Sequence, residues 1–295
     1  LQWGAKCLTA LPALLIKDTD MINLNPSDKA LVPFVSVDHM MKLIHHIGLH
    51  DILKGIAGYI ENDFKRWESF DKTPRVGSHT QDGVMELMPT SDGQDYGFKY
   101  VNCHPKNTEE GLQTVVAFGL LADVASGYPV LLTEMTLLTA LRTAATSAVV
   151  AKLLAPKGAR VMAMIGNGAQ SEFQATAMQA IVGVDEVRLY DIDAAAIAKC
   201  AANLKGNGMK IVACKTGQEA IEGAHIITTC TADKAYATIL TDNMVGAGVH
   251  INAIGGDCPG KTELAEAILH RSTIFVEYPE QTRIEGEIQQ LAADH

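Results

Sequence analysis

Three groups of residues have the types and spacing that chemistry needs. The first is Met162-Ala163-Met164-Ile165-Gly166-Asn167-Gly168-Ala169-Gln170-Ser171, where an apolar run meets Gly-x-Gly-x-x-Ser and passes straight into a helical pattern. Gly166 permits a tight turn, Gly168 lets a pyrophosphate approach the backbone, and the exposed amides at the helix N-terminus bind its charge. Ser171 stands where the fingerprint carries Gly or Ala, and is small enough for close helix–strand packing. Asp191 ends the next apolar run, 23 residues after Gly168. A carboxylate there accepts hydrogen bonds from ribose hydroxyls and repels a 2′-phosphate. With Asp193 nearby and no Arg directly following, the pattern favours NAD over NADP.

The second group is Asn252-Ala253-Ile254-Gly255-Gly256-Asp257-Cys258-Pro259-Gly260-Lys261, again after an apolar run. Ligands of open α/β sheets bind outside the carboxyl ends of the strands. Gly255 and Gly256 bring backbone close to a nicotinamide, and Asp257 is a candidate acid/base; the plainer reading is a turn-forming Asp. Cys258 has no evident His partner in its loop and is not read as a nucleophile. The third group is Arg75, Glu86, Lys99 and Arg142, charges set in apolar surroundings. Three cations and one carboxylate suit an amino-acid substrate, whose carboxylate an Arg fork binds through two hydrogen bonds. Taken singly, each also reads as a solvated strand edge or helix surface.

The elements that must position these groups follow from periodicity. Ser36 is a candidate N-cap for a helix over 37–47, with Gly48 as its stop. Leu49, Ile52, Leu53, Ile56, Tyr59, Ile60, Phe64 and Trp67 then mark the buried stripe of a second helix. His45 and His46 are neighbours on the first helix and point in different directions, so they do not share a metal. Short strands are predicted over 84–88, 96–103, 114–123 and 129–133, with Ala125-Ser126-Gly127 as a hairpin turn. Strands in succession imply an antiparallel sheet and an α+β domain. A helix over 136–155 ends at Pro156 and Gly158. Strands at 160–165, 186–191, 210–214, 225–230, 249–253 and 273–277 then alternate with helices at 170–182, 193–205, 217–222 and 262–270. That rhythm predicts a parallel, doubly wound sheet, with the domain boundary near 140–155 and no internal repeat.

Composition closes off other classes. The 295 residues carry 47% hydrophobic and 20% charged side chains, as a globular protein does. The formal charge of −10 opposes binding to phosphate backbones and anionic lipid. The six cysteines contain no Cys-x-x-Cys pair, which fits reduced thiols in the cytoplasm rather than a zinc site or a disulfide framework. No sequence run reaches the length of a membrane span; the apolar stretch 8–16 is too short and contains Pro12. Residues 1–20 are read as a non-native or disordered lead, with Met21 as the natural start.

Together these residues resemble the ornithine cyclodeaminase/mu-crystallin family, and its bacterial ornithine cyclodeaminases above all. The resemblance runs from about residue 36 to 294. It is carried by Phe98-Lys99-Tyr100-Val101-Asn102, Leu141-Arg142-Thr143-Ala144-Ala145, the glycine motif, Gly255-Gly256-Asp257-Cys258-Pro259-Gly260-Lys261 and Gln281-Thr282-Arg283-Ile284-Glu285-Gly286-Glu287-Ile288. It implies an α+β substrate-binding and dimerisation domain over 21–142, incomplete without a further C-terminal segment, and a Rossmann-type NAD-binding domain over 143–295. The implied activity converts L-ornithine to L-proline and ammonia by hydride removal to NAD, ring closure and hydride return, in arginine and ornithine catabolism.

Carried over by position, the resemblance implies Arg75, Lys99 and Arg142 on the substrate carboxylate, Glu86 beside the substrate and Asp257 as acid/base, with Lys99 and Glu86 as further proton carriers. For NAD it implies Thr114, Arg142, Ala169, Gln170, Asp191, Thr231, Ala253, Ile254, Gly255, Gly256 and Lys261, besides Gly166 and Gly168. No metal is implied, and the family's members are homodimers. Two alternatives share the scaffold: an NAD(P)-dependent amino-acid dehydrogenase or ketimine reductase, and a non-catalytic binding protein like the mu-crystallins.

Overall fold

The computed structural model describes residues 32–232 and 236–291; the lead expected over 1–20 lies outside them. The chain divides into two compact units, Leu1–Arg142 and Thr143–His295.

The first unit opens with strand β1 (Phe34–Val35) and helices α1 (Val37–Ile47) and α2 (Leu49–Lys65). Ser36 caps α1 as its sequence suggests: its hydroxyl accepts from the His39 amide while His39 Nδ1 accepts from the Ser36 amide, a capping box with His in the Glu position. Gly48 ends α1 at φ 91°. Leu53, Ile56 and Ala57 form the buried stripe of α2. Strands β2 (Asp71–Lys72), β3 (Val76–His79), β4 (Val84–Ser91), β5 (Asp95–Cys103), β6 (Val115–Asp123) and β7 (Pro129–Glu134) follow. They join β1 in one sheet of order β1-β7-β6-β5-β4-β2, with β3 also on β4. Only the β1–β7 pair is parallel. Alternation along β4 to β7 turns Met88, Val101, Ala117 and Leu131 inward and leaves Leu87, Phe118 and Val130 exposed. The β6–β7 turn closes as expected, with Gly127 left-handed and the Asp123 carboxylate accepting from the Ser126 amide.

Contrary to the expectation that no run reaches the length of a membrane span, helix α3 (Thr136–Leu154) is long and apolar enough to cross one by length and composition, with a mean hydropathy of 1.4 over an 18-residue window. Its buried Leu138, Leu141, Ala144, Ala145, Ala148 and Val149 are the packing face of a core helix.

The second unit holds β8 (Val161–Ile165), α4 (Ser171–Ala177), β9 (Glu186–Tyr190), α5 (Ala194–Leu204), β10 (Lys210–Ala213), α6 (Gly217–Ile221), β11 (Ile226–Thr229), β12 (Tyr236–Leu240), β13 (His250–Ala253), β14 (Thr262–Leu264), α7 (Glu266–His270) and α8 (Pro279–Thr282). A five-stranded, wholly parallel sheet runs β10-β9-β8-β11-β13. This is the predicted doubly wound, Rossmann-type arrangement. Ala163, Ile165, Ala220, Ile227, Leu240, Leu264 and Ile268 share one buried cluster. Helix α4 passes into a π-helical turn over Met178–Val182 that Gly183 stops.

Two further expectations are corrected. Residues 262–270 are not one helix: Thr262–Leu264 is a strand, pairing with β12 in a separate parallel ribbon, and only Glu266–His270 is helical. Residues 273–277 are not a strand. Ile274, Phe275 and Val276 are exposed and pair with no strand among the described residues; an apolar run becomes a strand only where an edge is available to satisfy its backbone.

Candidate active site

In the first unit, the β4–β5 register sets Met88 opposite Lys99 and Val101 opposite Glu86. Both charged residues therefore lie on the inward face, a diagonal pair. Lys99 is 1% exposed and Glu86 is buried, so neither is a solvated strand edge. Arg75, just before β3, lies with Nη1 at 3.3 Å from both Glu86 carboxylate oxygens. Burial pushes the Lys99 ammonium well below the usual lysine range. Arg142, from α3, and Arg75 lower it further, while Glu86 opposes them. Three cationic side chains and one carboxylate thus share one electrostatic environment, poised for an anion with an amine beside it. Thr114 stands just before β6, its carbonyl accepting from the His104 amide.

In the second unit, register aligns the carboxyl ends of four strands. Tyr190 pairs with Ile165, Ile165 with Thr229, and Thr229 with Ala253. The residues that follow these ends, Asp191, Gly166, Cys230–Thr231 and Ile254–Gly256, therefore line one sheet edge, where α/β proteins bind ligands. Gly166 has φ 93°, and a Cβ there would fall 2.7 Å from the Cys230 carbonyl carbon and 2.9 Å from the Thr231 nitrogen. A Cβ on Gly168 would meet nothing within 4 Å, leaving its approach open. Ser171 is fully buried and its hydroxyl donates to the Gly168 carbonyl at 2.8 Å, fixing the turn against α4. Ala169 and Gln170 complete that turn. The Asp191 carboxylate accepts from the Asn167 amide at 2.6 Å and the Asp193 amide at 3.0 Å. It thereby braces the glycine turn and retains lone pairs for a diol. These features fit a dinucleotide: a bare turn for the pyrophosphate, and a carboxylate for the ribose.

Asp257 follows the Gly255-Gly256 turn, with a half-exposed side chain. Its Oδ1 accepts from Lys261 Nζ at 3.0 Å, and the same ammonium donates to the Thr231 carbonyl at 2.9 Å. Burial works against the Lys261 charge, but Asp257 and then Glu263 outweigh it and hold its pKa above the usual value. Lys261 is a standing cation. Two functional candidates carry no role in the sequence reading: Glu263, two residues past Lys261, and Glu287, inside the 281–288 segment. Both are buried: Glu263 binds Thr231, and Glu287 accepts from the backbone of β14. Nothing in their spacing advertises this, because the partners lie 23 to 32 residues away. Cys230 is half-buried with its thiol donating to the Gly166 carbonyl, and desolvation pushes its pKa up. Among the described residues no group of His, Cys, Asp and Glu could hold a metal.

Comparison with known proteins agrees with this geometry. The ornithine cyclodeaminase/mu-crystallin family matches residues 37–295. The chain is 74% identical over 265 residues to an ornithine cyclodeaminase of Brucella suis biovar 1 (strain 1330), covering 90% of this chain and 74% of the relative. It is similar in structure to a lysine cyclodeaminase solved for recognition of L-lysine, L-ornithine and L-2,4-diaminobutyric acid, with TM-score 0.81, 29% identity and coverage of 89% and 79%. An archaeal alanine dehydrogenase dimer with bound NAD gives TM-score 0.76 at 29% identity, covering 88% and 78%. The chain belongs to the ornithine cyclodeaminase/mu-crystallin family.

Proposed function

We propose that the protein is an NAD-dependent ornithine cyclodeaminase, an ammonia-lyase that converts L-ornithine to L-proline. The observation that carries this reading is the pairing of Asp257 with Lys261 behind a Gly-Gly turn, together with Arg75 and Arg142 around the buried Glu86 and Lys99, in a chain 74% identical to a bacterial ornithine cyclodeaminase.

Bound NAD supplies the acceptor, and later the donor, of the hydride at the substrate's Cα. The side chains do the rest. Arg75, Lys99 and Arg142 bind the α-carboxylate, the arginines through forked hydrogen bonds. Both amines of ornithine are protonated at neutral pH, and neither a hydride loss at Cα nor attack by the δ-amine proceeds until a proton leaves. Asp257 is the acceptor; a positioned base of this kind contributes about 10²–10⁴-fold. Lys99 in its neutral form, and Glu86, are the further proton carriers. Holding the δ-amine near Cα makes ring closure intramolecular, which carries effective molarities of about 10⁵ M or more. Asp191 holds the ribose, and the turn from Gly166 through Ala169 and Gln170 takes the pyrophosphate. Thr114, Arg142, Thr231, Ala253, Ile254, Gly255, Gly256 and Lys261 are the remaining cofactor contacts of this reading.

The unit ending at Arg142 is assigned to substrate binding and the unit beginning at Thr143 to NAD. A homodimer through the first unit is supported by the outer face of its sheet, where Leu87, Val116, Phe118 and Val130 are each at least 40% exposed and Tyr100 stacks on Phe118 at 5.2 Å. A contiguous apolar face of this kind calls for a partner. A cytoplasmic setting is supported by the free thiols of Cys103, Cys200, Cys214, Cys230 and Cys258. The test is incubation with L-ornithine and catalytic NAD⁺, assaying proline and ammonia. Equimolar proline and ammonia without net NADH is the expected result. Stoichiometric NADH would mean a net amino-acid dehydrogenase.

A further inference from the structure

Glu263 and Glu287 are 1% and 7% exposed and take no part in the reaction as described so far. A buried carboxylate survives only where hydrogen bonds and counter-charge offset its lost hydration, so its partners indicate what it is for. Glu263 Oε1 accepts from both the backbone amide (2.7 Å) and the hydroxyl of Thr231. Glu263 Oε2 is buried with no hydrogen-bond partner among the described residues. The carboxylate presses on Gly255 so closely that a Cβ there would collide with it. Lys261 sits two residues before Glu263 and grips the same threonine from its other end, through the Thr231 carbonyl, while also holding Asp257.

The segment 286–290 fastens this assembly from behind. The Glu287 carboxylate accepts from the amides of Glu263 (2.9 Å) and Leu264 (3.0 Å). Gln289 donates to the Lys261 carbonyl (2.9 Å) and accepts from the Gly260 amide (2.7 Å). Gly286 donates its amide to the Gly256 carbonyl at 2.8 Å. The motif around Gly286-Glu287 is thus the back wall of the Asp257 loop.

We propose that Glu263 is a positioning residue for the reaction: it fixes Thr231, whose carbonyl holds the Lys261 ammonium, and so sets where the Asp257 carboxylate paired with that ammonium stands. The proposal rests on the reading of Asp257 as the acid/base. The charged and titratable groups around Lys261 are Asp257, Glu263, Glu287, Cys258 and Cys230. Neutralising Glu263 leaves the Lys261 charge more fully on Asp257, which makes Asp257 a weaker proton acceptor.

The experiment compares Glu263→Gln, Glu263→Asp and Asp257→Asn in the full chain, measuring kcat, KM for L-ornithine and NAD⁺, and the pH profile of kcat/KM. Glu263→Gln is expected to lower kcat by roughly 10- to 100-fold, the scale of one charge-assisted hydrogen bond. It should also move the acidic limb of the profile to lower pH. Glu263→Asp, which keeps the charge, should return the limb towards wild type. The proposal is overturned if Glu263→Gln leaves kcat within about twofold of wild type and the limb in place while Asp257→Asn is inactive. Full turnover by Asp257→Asn would instead remove the acid/base reading itself. If Glu263→Gln does not fold, Thr231→Val carries the test at saturating NAD⁺: a kcat loss of about threefold or more with KM for NAD⁺ unchanged supports the clamp, and wild-type kcat, or a change confined to KM for NAD⁺, overturns it.

Discussion

Lys261 Nζ lies 3.0 Å from Asp257 Oδ1, the lysine buried and the aspartate half-exposed. The ion pair therefore has one end fixed in the protein and the other open to solvent. Asp257→Asn keeps the shape, but loses the charge and the proton-accepting capacity. We expect kcat to fall by about 10²-fold or more with NAD⁺ affinity close to wild type. Steady-state kinetics with L-ornithine and a calorimetric NAD⁺ titration check both halves. Near-normal turnover would make Asp257 structural.

Asp191 braces the Asn167 amide, and in the proposed reading it also receives the ribose. Asp191→Ala should weaken NAD⁺ binding by about 1–3 kcal/mol, the cost of leaving such partners unsatisfied. Affinity equal to wild type by calorimetry would remove the ribose assignment.

Lys99 makes stability depend on pH in a defined direction. Its folded pKa is pushed down by burial and then by Arg142 and Arg75, so the unfolded chain binds more protons in the window between that depressed value and about 10.4. Stability therefore rises with pH across that window, by at most about 1.4 kcal/mol per pH unit. Lys99→Met should flatten the trend. Urea denaturation at pH 7, 8 and 9 tests it, and equal slopes for the two proteins would contradict the shift.

Gly166→Ala places a Cβ against the Cys230–Thr231 backbone at φ 93°. The left-handed conformation costs Ala about 1–2 kcal/mol and the overpacking about 1–3 more. We expect a fall in stability of roughly 2–5 kcal/mol with lost NAD⁺ binding. Gly168→Ala meets open space and should lose affinity without losing stability, which thermal denaturation distinguishes.

Much of this architecture was legible in the sequence because local rules governed it. Ser36 and Gly48 bound α1 as caps must, and alternating burial drew β4 to β7. The parallel sheet followed from strands alternating with helices. What stayed hidden depends on contacts between distant residues. Strand β3, Val-Gly-Ser-His, has no apolar alternation and is a strand because β4 offers it an edge. Strand β14 was absorbed into a helix because its pairing with β12 leaves no local trace. Glu86 and Lys99 looked like exposed strand charges until the β4–β5 register turned both inward. The role of Glu263 depends on Thr231, 32 residues away.

Lys261 and Glu263 reach Thr231 together because they stand two positions apart at the start of one short strand. Side chains on a strand alternate sides, so a one-residue slip of β14 against β12, forced by a residue added or lost in the loop before Lys261, would send both to the opposite face. The loop from Gly255 to Glu263 is consequently locked in length more strictly than in composition. Substitutions within it grade the activity. A single-residue insertion or deletion should abolish the whole arrangement at once, and any lineage carrying this chemistry is expected to preserve the count of residues from Asp257 to Glu263 even where the residues between them drift.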